Sequence, residues 1–352
     1  MLVFVTGGTG FVGSHSVAAV LRAGGSVRLL ARDPAAVGPA LRPLGVDPGA
    51  VEVVTGDATD PELVGEAVRG CDALLHAASL YSFDPRRAAE IRRVNARSTE
   101  VVLDAGVKAG VERIVHVSSI VAMYPAEGRM IDADSPVGRA RDPYLAGKAA
   151  SERIARRHQD LGAPVAITYP PALLGPHDPR LGDQTARLRD VLRGLMPMWP
   201  GGGFPVGDVR DTAALHAQLL TRGESGGGRY FGPGRYVSTR ELVRTVRQVT
   251  GRPLPTVFLP ARSMLPVGVL AGWAQRIWPW HIPAEYGAVY ICACATRVAE
   301  DADTGAIGAR ATAETIGDAV RWMYQNGHIT ARQAGVAAVP PGEERHHAQA
   351  SA

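Results

Sequence analysis

The chain has 352 residues, of which 46% are hydrophobic and 20% are charged, and its formal net charge is +4. This composition is typical of a soluble globular protein with a core large enough for one big domain or two. The positive charge is mild and no run of Lys and Arg exceeds two residues, so nucleic-acid binding is not predicted.

Cysteine usage and the apolar segments predict a cytoplasmic location. Three cysteines, Cys71, Cys292 and Cys294, are too few for a disulfide framework and favour a reducing compartment. Cys292 and Cys294 would share one face of a strand, and two small buried residues are favoured there over a metal site. The start MLVFVTGG predicts no signal peptide. The apolar stretch 263–275 is too short to span a bilayer, so no integral membrane segment is predicted, and peripheral membrane contact stays open.

Short apolar segments alternate with helical patterns through the first half of the chain. The predicted strands are Leu2–Thr6, Val27–Ala31, Val51–Thr55, Ala73–Ala77, Ile114–Ser118 and Val165–Tyr169. The predicted helices between them are Gly10–Ala23, Pro61–Arg69, Arg92–Ala109 and Tyr144–Gln159. Strands that are apolar throughout are buried on both faces, as in a parallel sheet covered by helices. The pattern predicts an α/β fold of the Rossmann type, with a doubly wound parallel sheet.

After residue 170, Pro and Gly become frequent. Helical patterns continue at Leu181–Leu195, Asp211–Thr221, Thr239–Thr250 and Ala313–Asn326. We predict a cofactor-binding domain at 1–169, to which 205–235 returns, a smaller C-terminal substrate-binding lobe at 170–204 and 236–328, and a disordered tail at 329–352. Trp273, Trp278 and Trp280, with Tyr286 and Tyr290, make the region 254–298 apolar. They could line a hydrophobic substrate site, or serve as core or a dimer contact.

The motif TGGTGFVG, residues 6–13, follows the first strand and opens the first helix. Its glycines, Gly7, Gly10 and Gly13, permit a tight turn, close approach of a pyrophosphate and close packing of helix on strand. The helix N-terminus adds free N–H groups and a positive dipole. These glycines, with Phe11 and Val12, are predicted to bind a nicotinamide dinucleotide.

The end of the second strand bears on the choice of cofactor. An NAD enzyme usually has an acid there, but this chain has Ala31 followed by Arg32, and an arginine suits a 2′-phosphate. NADP(H) is therefore favoured, while Asp33 leaves NAD(H) open and Arg32 could instead be a solvated loop arginine. Past the third strand, Asp57 and the adjacent Ala58 are predicted to lie near the adenine, and Asp60 fits a turn or helix cap.

The segment YLAGK, residues 144–148, places Tyr144 and Lys148 one helical turn apart. Lys148 is notable because Lys108 is the only other lysine in the chain. A tyrosine can donate a proton to a carbonyl, and the nearby cation is expected to lower its pKa. A serine at the end of the segment HVSS, residues 116–119, could polarise that carbonyl. A helix-surface Tyr–Lys contact is the alternative.

Together these motifs resemble the extended branch of the short-chain dehydrogenase/reductase superfamily. The match runs over TGGTGFVG, HAAS at 76–79, VNARSTEVV at 94–102, VSS at 117–119 and YLAGK, all in the order of the family. The resemblance implies a catalytic tetrad of Asn95, Ser119, Tyr144 and Lys148. It also implies cofactor contacts from Ala77, Ala78, Ser79 and Pro170, besides Tyr144 and Lys148. The segment YPPALLGP, residues 169–176, is closest to dihydroflavonol-reductase-like members, and a homodimer is compatible with the family.

We therefore expect an NADP(H)-dependent oxidoreductase that interconverts a carbonyl and an alcohol on a small, hydrophobic substrate. The alternative is an NAD-dependent nucleotide-sugar epimerase or dehydratase, which would need an arginine clamp for a diphosphate. The candidates for that clamp are Arg180, Arg187, Arg193, Arg210 and Arg235. A redox-sensing binding protein is a third possibility, although such proteins often lack the tyrosine or the lysine.

Overall fold

A computed structural model describes residues 1–80, 87–126, 128–140, 142–222, 227–274 and 286–338. Its strands are β1 (Leu2–Thr6), β2 (Ser26–Ala31), β3 (Val51–Thr55), β4 (Ala73–His76), β5 (Arg113–Val117), β6 (Val165–Tyr169), β7 (Ala172–Leu174), β8 (Met198–Pro200), β9 (Gly203–Asp208), β10 (Arg229–Phe231), β11 (Arg235–Ser238) and β12 (Val257–Leu259). Its helices are α1 (Phe11–Arg22), α2 (Val37–Leu41), α3 (Pro61–Ala67), α4 (Ala88–Lys108), α5 (Pro143–Asp160), α6 (Asp183–Leu192), α7 (Val209–Thr221), α8 (Thr239–Thr250), α9 (Ala261–Ala274), α10 (Tyr286–Cys294), α11 (Thr312–Gln325) and α12 (Ala331–Ala334).

The main sheet has seven parallel strands in the order β10-β6-β5-β4-β1-β2-β3. The strand order reverses between β1 and β4, where a doubly wound sheet opens a crevice at the carboxyl ends of its strands. The predicted Rossmann-type fold is therefore confirmed. The short strand β10 at one edge was not among the predicted strands.

Each face of the sheet carries its own apolar core. Phe4, Leu74 and Ile114 project to one face, beneath α3, α4 and α5. Val5 and Leu75 project to the other, beneath α1 and α7. Alternate residues of each strand are thus buried on opposite sides, which explains the continuous apolar runs in the sequence.

Local cap signals fix where several helices begin. Asp60 accepts hydrogen bonds from the N–H groups of Glu62 (3.0 Å) and Leu63 (3.2 Å) at the start of α3, so its predicted role as a helix cap is observed. Asp142 caps α5 in the same way, with Pro143 in the first helical turn.

A third apolar core lies in the C-terminal part of the chain, between α6, α8, α11 and two small sheets. The two cysteines of the CxC segment lie on α10 rather than on a strand. Cys292 is buried and Cys294 is half-buried. Trp278 and Trp280 lie outside the described residues, as does the side chain of Trp273.

The predicted start of the disordered tail, residue 329, is too early in the chain. Thr330 and Gln333 form a capping box at the start of α12, and Ala334 and Ala337 are fully or nearly buried in the third core. The prediction failed because the polar, Pro-rich end of the tail dominates its composition. Residues 339–352 lie outside the described part. Within the described part, no helix is both long and apolar enough to cross a membrane.

Candidate active site

The glycine-rich turn between β1 and α1 forms a tight cradle. Gly7 has φ of +78°, and a Cβ there would lie 2.5 Å from the backbone between Ala77 and Ala78. A Cβ at Gly13 would overlap the carbonyl of Gly7. Side chains are therefore excluded from the two places where this turn meets β4 and α1.

The first turn of α1 is suited to an anion. Gly10 precedes the helix without a side-chain cap, and the first turn contains no acidic residue. Its N–H groups and positive dipole therefore remain available to a phosphate group. Phe11 and Val12, both half-buried, form this turn. These residues fit the pyrophosphate of a dinucleotide.

The segment after β4 borders the same cradle. The N–H of Ala77 donates a hydrogen bond to the carbonyl of Thr6 at 3.1 Å, and the N–H of Ala78 donates one to Oγ1 of Thr6 at 3.4 Å. Ala77 and Ala78 are half-buried and Ser79 is exposed. The structure thus brings these predicted cofactor contacts beside Gly7.

The residues that we expect to face the adenosine half of the cofactor lie just beyond the ends of β2 and β3. Arg32 and Asp57 are exposed and Ala58 is half-buried. Burial acts to raise the pKa of Asp57, but hydrogen bonds from Thr59 and the charge of Arg32 bring it below its usual value. Asp33 accepts a hydrogen bond from the N–H of Ala35 (3.0 Å) and so caps the following turn.

Ser119 and Tyr144 are joined by a side-chain hydrogen bond. Ser119 lies just beyond β5, where its Oγ also accepts a long hydrogen bond from the N–H of Val121 (3.5 Å). Tyr144 is in the first turn of α5, whose start is fixed by Asp142. The preceding Ser118 is fully buried, and its hydroxyl has no hydrogen-bond partner in the described part of the chain.

The pKa of Tyr144 is raised, contrary to the expectation that a nearby cation would lower it. Burial is the largest cause, the charge of Asp183 adds to it, and the hydrogen bond with Ser119 acts in the opposite direction. The phenol is therefore protonated at neutral pH and can act as a proton donor.

Lys148 lies one turn along α5 and is 8% exposed. Burial lowers its pKa from 10.5 to about 8, while the charge of Glu152 acts to raise it. Glu152 is itself fully buried and accepts hydrogen bonds from Tyr169 (2.7 Å) and Arg156 (2.6 Å). Lys148 thus lies next to an acid that is held by two other partners.

Asn95 performs a supporting role on α4. Its side chain accepts a hydrogen bond from the N–H of Leu80 (2.7 Å) and donates one to the carbonyl of Leu80 (2.9 Å). These two bonds fix the end of the segment that contains Ala77, Ala78 and Ser79. The side chain of Asn95 therefore holds the backbone around the site, and a catalytic role remains a prediction.

Pro170 connects the serine segment to the end of β6. Its carbonyl accepts a hydrogen bond from the N–H of Ile120 at 3.3 Å. The residue after Ser119 is thereby tied to the loop that was predicted to pass the nicotinamide.

Sequence reasoning missed two histidines beneath Lys148. His76 and His116 occupy paired positions on β4 and β5 and stack with ring centroids 5.4 Å apart. Burial lowers the pKa of His76 to about 3 and that of His116 well below its usual value, and the charge of Lys148 acts in the same direction on both. His76 is held by Thr6 at 2.8 Å. The only sequence signal was their position at the strand ends, within HAAS and HVSS.

Sequence reasoning also missed Asp183 at the start of α6. Its charge influences Tyr144, which places an acid near the proposed proton donor. The same helix lines a narrow, mainly apolar cavity. The lining residues are Ala172, Leu174, Gln184, Arg187, Leu188, Val191, Trp199, Phe204, Val206, Leu242, Val243 and Val246. Nothing in the local sequence linked α6 to Tyr144, because their contact depends on the path of the chain after β7.

Among the described residues, no group of three or more His, Cys, Asp or Glu side chains could hold a metal ion. The glycine cradle lies at the switch point between β1 and β4, at the N-terminus of α1, and Ser119, Tyr144 and Lys148 lie beyond the neighbouring β5. This arrangement is typical of a dinucleotide-binding α/β protein.

The chain belongs to the NAD dependent epimerase/dehydratase family, whose model matches residues 3–231. It is thus a member of the extended short-chain dehydrogenases/reductases, a family that depends on nicotinamide dinucleotides and includes oxidoreductases, epimerases and dehydratases.

Relatives and a solved structure show the range of the family. A protein from Synechocystis sp., provisionally named a dihydroflavonol 4-reductase, is 31% identical over 73% of this chain and 75% of its own length. Sterol demethylase protein B from Methylococcus capsulatus is 28% identical over 94% of this chain and all of its own length. A UDP-glucose 4-epimerase from Bifidobacterium longum, solved with NAD+ and UDP, has a TM-score of 0.71 at 20% identity, over 93% and 99% of the two chains. This last likeness shows the fold.

Proposed function

We propose that the protein is an NADP(H)-dependent oxidoreductase that interconverts a ketone or aldehyde and an alcohol on a small, hydrophobic substrate. The hydrogen bond between Ser119 and Tyr144, one helical turn from Lys148 at the carboxyl end of the sheet, carries this proposal. A bound nicotinamide would supply or accept the hydride.

The protein's own groups would handle the proton and the oxygen. In the reducing direction, Tyr144 donates its hydroxyl proton to the carbonyl oxygen as the carbonyl carbon gains the hydride, which leaves a phenolate on Tyr144. The hydroxyl of Ser119 hydrogen-bonds the same oxygen and stabilises its developing negative charge. The ammonium of Lys148 stabilises the phenolate that remains, and Tyr144 regains a proton from solvent. Because burial raises the pKa of Tyr144, its phenol is protonated at neutral pH before the reaction begins.

NADP(H) is favoured by the environments of Arg32 and Asp33, the two charged residues that follow β2. Asp33 caps a turn through its own carboxylate, and Arg32 is exposed beside Asp57. An exposed guanidinium at this position suits a 2′-phosphate.

The cavity beside α6 is narrow, with a volume of about 20 Å³, so it supports a hydrophobic substrate by the apolar character of its lining and not by its size. Its lining contains Trp199, Phe204 and Leu188, with Gln184 and Arg187 as the polar members. The name of the Methylococcus relative, which refers to a sterol, also supports an apolar substrate. We further propose a cytoplasmic location, since Cys71, Cys292 and Cys294 are all free thiols.

The alternative, a nucleotide-sugar epimerase or dehydratase, would need arginines free to hold a diphosphate. Arg210 is paired with Asp208 and Asp318, each at 2.7 Å. Arg235 is paired with Glu241 (3.1 Å), and Arg193 donates to the carbonyl of His328 (2.9 Å). Three of the five candidate arginines are therefore committed to other partners, which leaves Arg180 and Arg187 as the remaining candidates for such a clamp.

One experiment separates the two functions. The protein is incubated with NADPH and a panel of hydrophobic ketones, and in parallel with UDP-sugars, and NADPH absorbance and sugar products are followed. We expect ketone-dependent NADPH oxidation that falls by a factor of about 100 or more in Tyr144→Phe, because a general acid is lost. Conversion of a UDP-sugar without net loss of NADPH would contradict the proposal.

The cofactor preference has its own test. Arg32→Ala should weaken NADPH binding by about tenfold, the effect of losing one charge-assisted contact, and leave NADH binding nearly unchanged. Dissociation constants for both dinucleotides are measured by fluorescence. Equal losses for NADPH and NADH would refute the contact with the 2′-phosphate.

A further inference from the structure

The segment after β7 lies across the glycine-rich turn. We call residues 175–182 the strap. A Cβ at Gly175 would lie 3.7 Å from the ring of Phe11, and the carbonyl of Pro176 accepts a hydrogen bond from Nε2 of His15 at 3.0 Å. Burial lowers the pKa of His15 to about 4, so its ring is neutral at pH 7 and donates this bond as an N–H. The strap is therefore fixed to the first turns of α1.

The far end of the strap brings an arginine to the glycine-rich turn itself. Nη2 of Arg180 donates to Oγ1 of Thr9 at 3.3 Å, and Thr9 is the central residue of the segment GGTGF. Arg180 is exposed, and in the described part of the chain it forms no ion pair with a carboxylate. Its guanidinium is thus held near α1 by a neutral hydroxyl alone.

A buried carboxylate sets the shape of the strap. Asp178 accepts hydrogen bonds from the N–H of Arg180 (3.1 Å), the N–H of Gly182 (2.9 Å) and the hydroxyl of Thr185 (2.7 Å). His177 and Leu181 adopt left-handed backbone angles, with φ of 60° and 47°. Such angles cost on the order of 1 kcal/mol each for residues other than glycine. The position of Arg180 is therefore imposed by its surroundings.

This arrangement leaves two positive groups side by side. The first turn of α1 has a positive dipole and no acidic residue, and Arg180 lies next to it. Without an anion, the dipole and the guanidinium repel each other. An anion between them would satisfy both, and a guanidinium binds phosphate oxygens more strongly than it binds a hydroxyl.

We propose that Arg180 binds the diphosphate of the dinucleotide cofactor, together with the N-terminus of α1. This inference rests on the proposed use of NAD(P)(H) and deepens it. Arg180 is then a cofactor-binding residue, whereas the sequence offered it only as a candidate clamp for a sugar diphosphate. Because the diphosphate is common to both cofactors, Arg180 contributes equally to NADH and NADPH, in contrast to Arg32.

The test measures binding without turnover. Dissociation constants for NADPH, NADH, ADP-ribose and adenosine are determined by fluorescence or calorimetry for the wild type, Arg180→Ala and Arg180→Gln. Glutamine keeps a hydrogen-bonding amide but carries no charge. Arg244→Ala, which removes an exposed arginine from α8, is the matched control.

We expect both Arg180 variants to lose about tenfold in affinity for the three ligands that contain a diphosphate, the effect of about 1.4 kcal/mol. Adenosine binding and the control should be unchanged. Wild-type affinity for the dinucleotides in Arg180→Gln would overturn the proposal, as would an equal loss for adenosine, which would indicate a distorted loop. If the wild type binds neither dinucleotide, the proposed function itself fails.

Discussion

Burial of the charged Lys148 side chain lowers the free energy of unfolding of the protein. Its pKa of about 8 in the folded chain compares with 10.5 for an unperturbed lysine. Below pH 8 the amine is charged in both the folded and the unfolded chain, and its burial destabilises the folded state by the full amount. Between pH 8 and 10.5 the unfolded chain binds more protons, so the free energy of unfolding rises with pH. The buried ammonium of Lys148 therefore lowers the stability of the folded protein at neutral pH.

We therefore predict that Lys148→Met stabilises the protein at pH 7 while abolishing turnover. The free energy of unfolding should rise by up to about 3 kcal/mol, because an uncharged side chain of similar length replaces a buried ammonium. Glu152 keeps Arg156 and Tyr169 as partners in this variant. The measurement is urea denaturation without cofactor at pH 7 and at pH 10.

The gain should shrink at pH 10, where the wild-type amine is mostly neutral in the folded state. Lys108→Met is the control, because Lys108 is the chain's other lysine and is exposed at the end of α4. A gain that is the same at both pH values would show that packing, and not charge, explains it.

At the scale of elements, the N-terminus of α5 positions Tyr144, the proposed proton donor. The carboxylate of Asp142 accepts hydrogen bonds from the N–H groups of Tyr144 (3.0 Å) and Leu145 (3.1 Å). The first turn of α5, which carries Tyr144, is thereby fixed beyond the end of β5, where Ser119 lies. The cap at Asp142 thus holds Tyr144 where it meets Ser119.

Asp142→Ala is predicted to lower both stability and turnover. Loss of the cap should reduce the free energy of unfolding by about 1 kcal/mol and should lower kcat more than it raises the KM for the cofactor. Asp142→Asn should restore both, since asparagine caps helices as well as aspartate does. Chemical denaturation and steady-state kinetics check this. An alanine variant with wild-type kcat would show that Tyr144 does not depend on the cap.

Elements whose signals are local could be predicted from the sequence, and contacts between distant elements could not. The glycine turn, the strand that precedes Ser119 and the helix of Tyr144 follow from spacing and periodicity alone. The charge of Asp183 near Tyr144 and the contact of Arg180 with Thr9 depend on how the strap returns to α1. Burial also reversed the expected change in the pKa of Tyr144, because solvent exclusion is not visible in spacing.

At the scale of the whole molecule, the apolar residues form three cores, two on the faces of the main sheet and one in the C-terminal part. The family match ends at residue 231, the last residue of β10. The glycine turn and Lys148 lie beside the first two cores. The third core contains α6 and α8, which line the apolar cavity. The proposed cofactor site and the apolar cavity therefore lie in different parts of the chain.

The last described residues should be essential to the third core. Ile329, Ala334 and Ala337 are buried there, and Nη1 of Arg252 donates to the carbonyl of Gln333 at 3.0 Å. Deletion of 329–352 should lower the free energy of unfolding by about 2–5 kcal/mol, the usual effect of removing a large buried apolar side chain. Deletion of 339–352 leaves these contacts in place and should change stability by less than about 0.5 kcal/mol. Urea denaturation of both variants and the wild type measures the difference, and equal stabilities would show that 329–338 do not support the core.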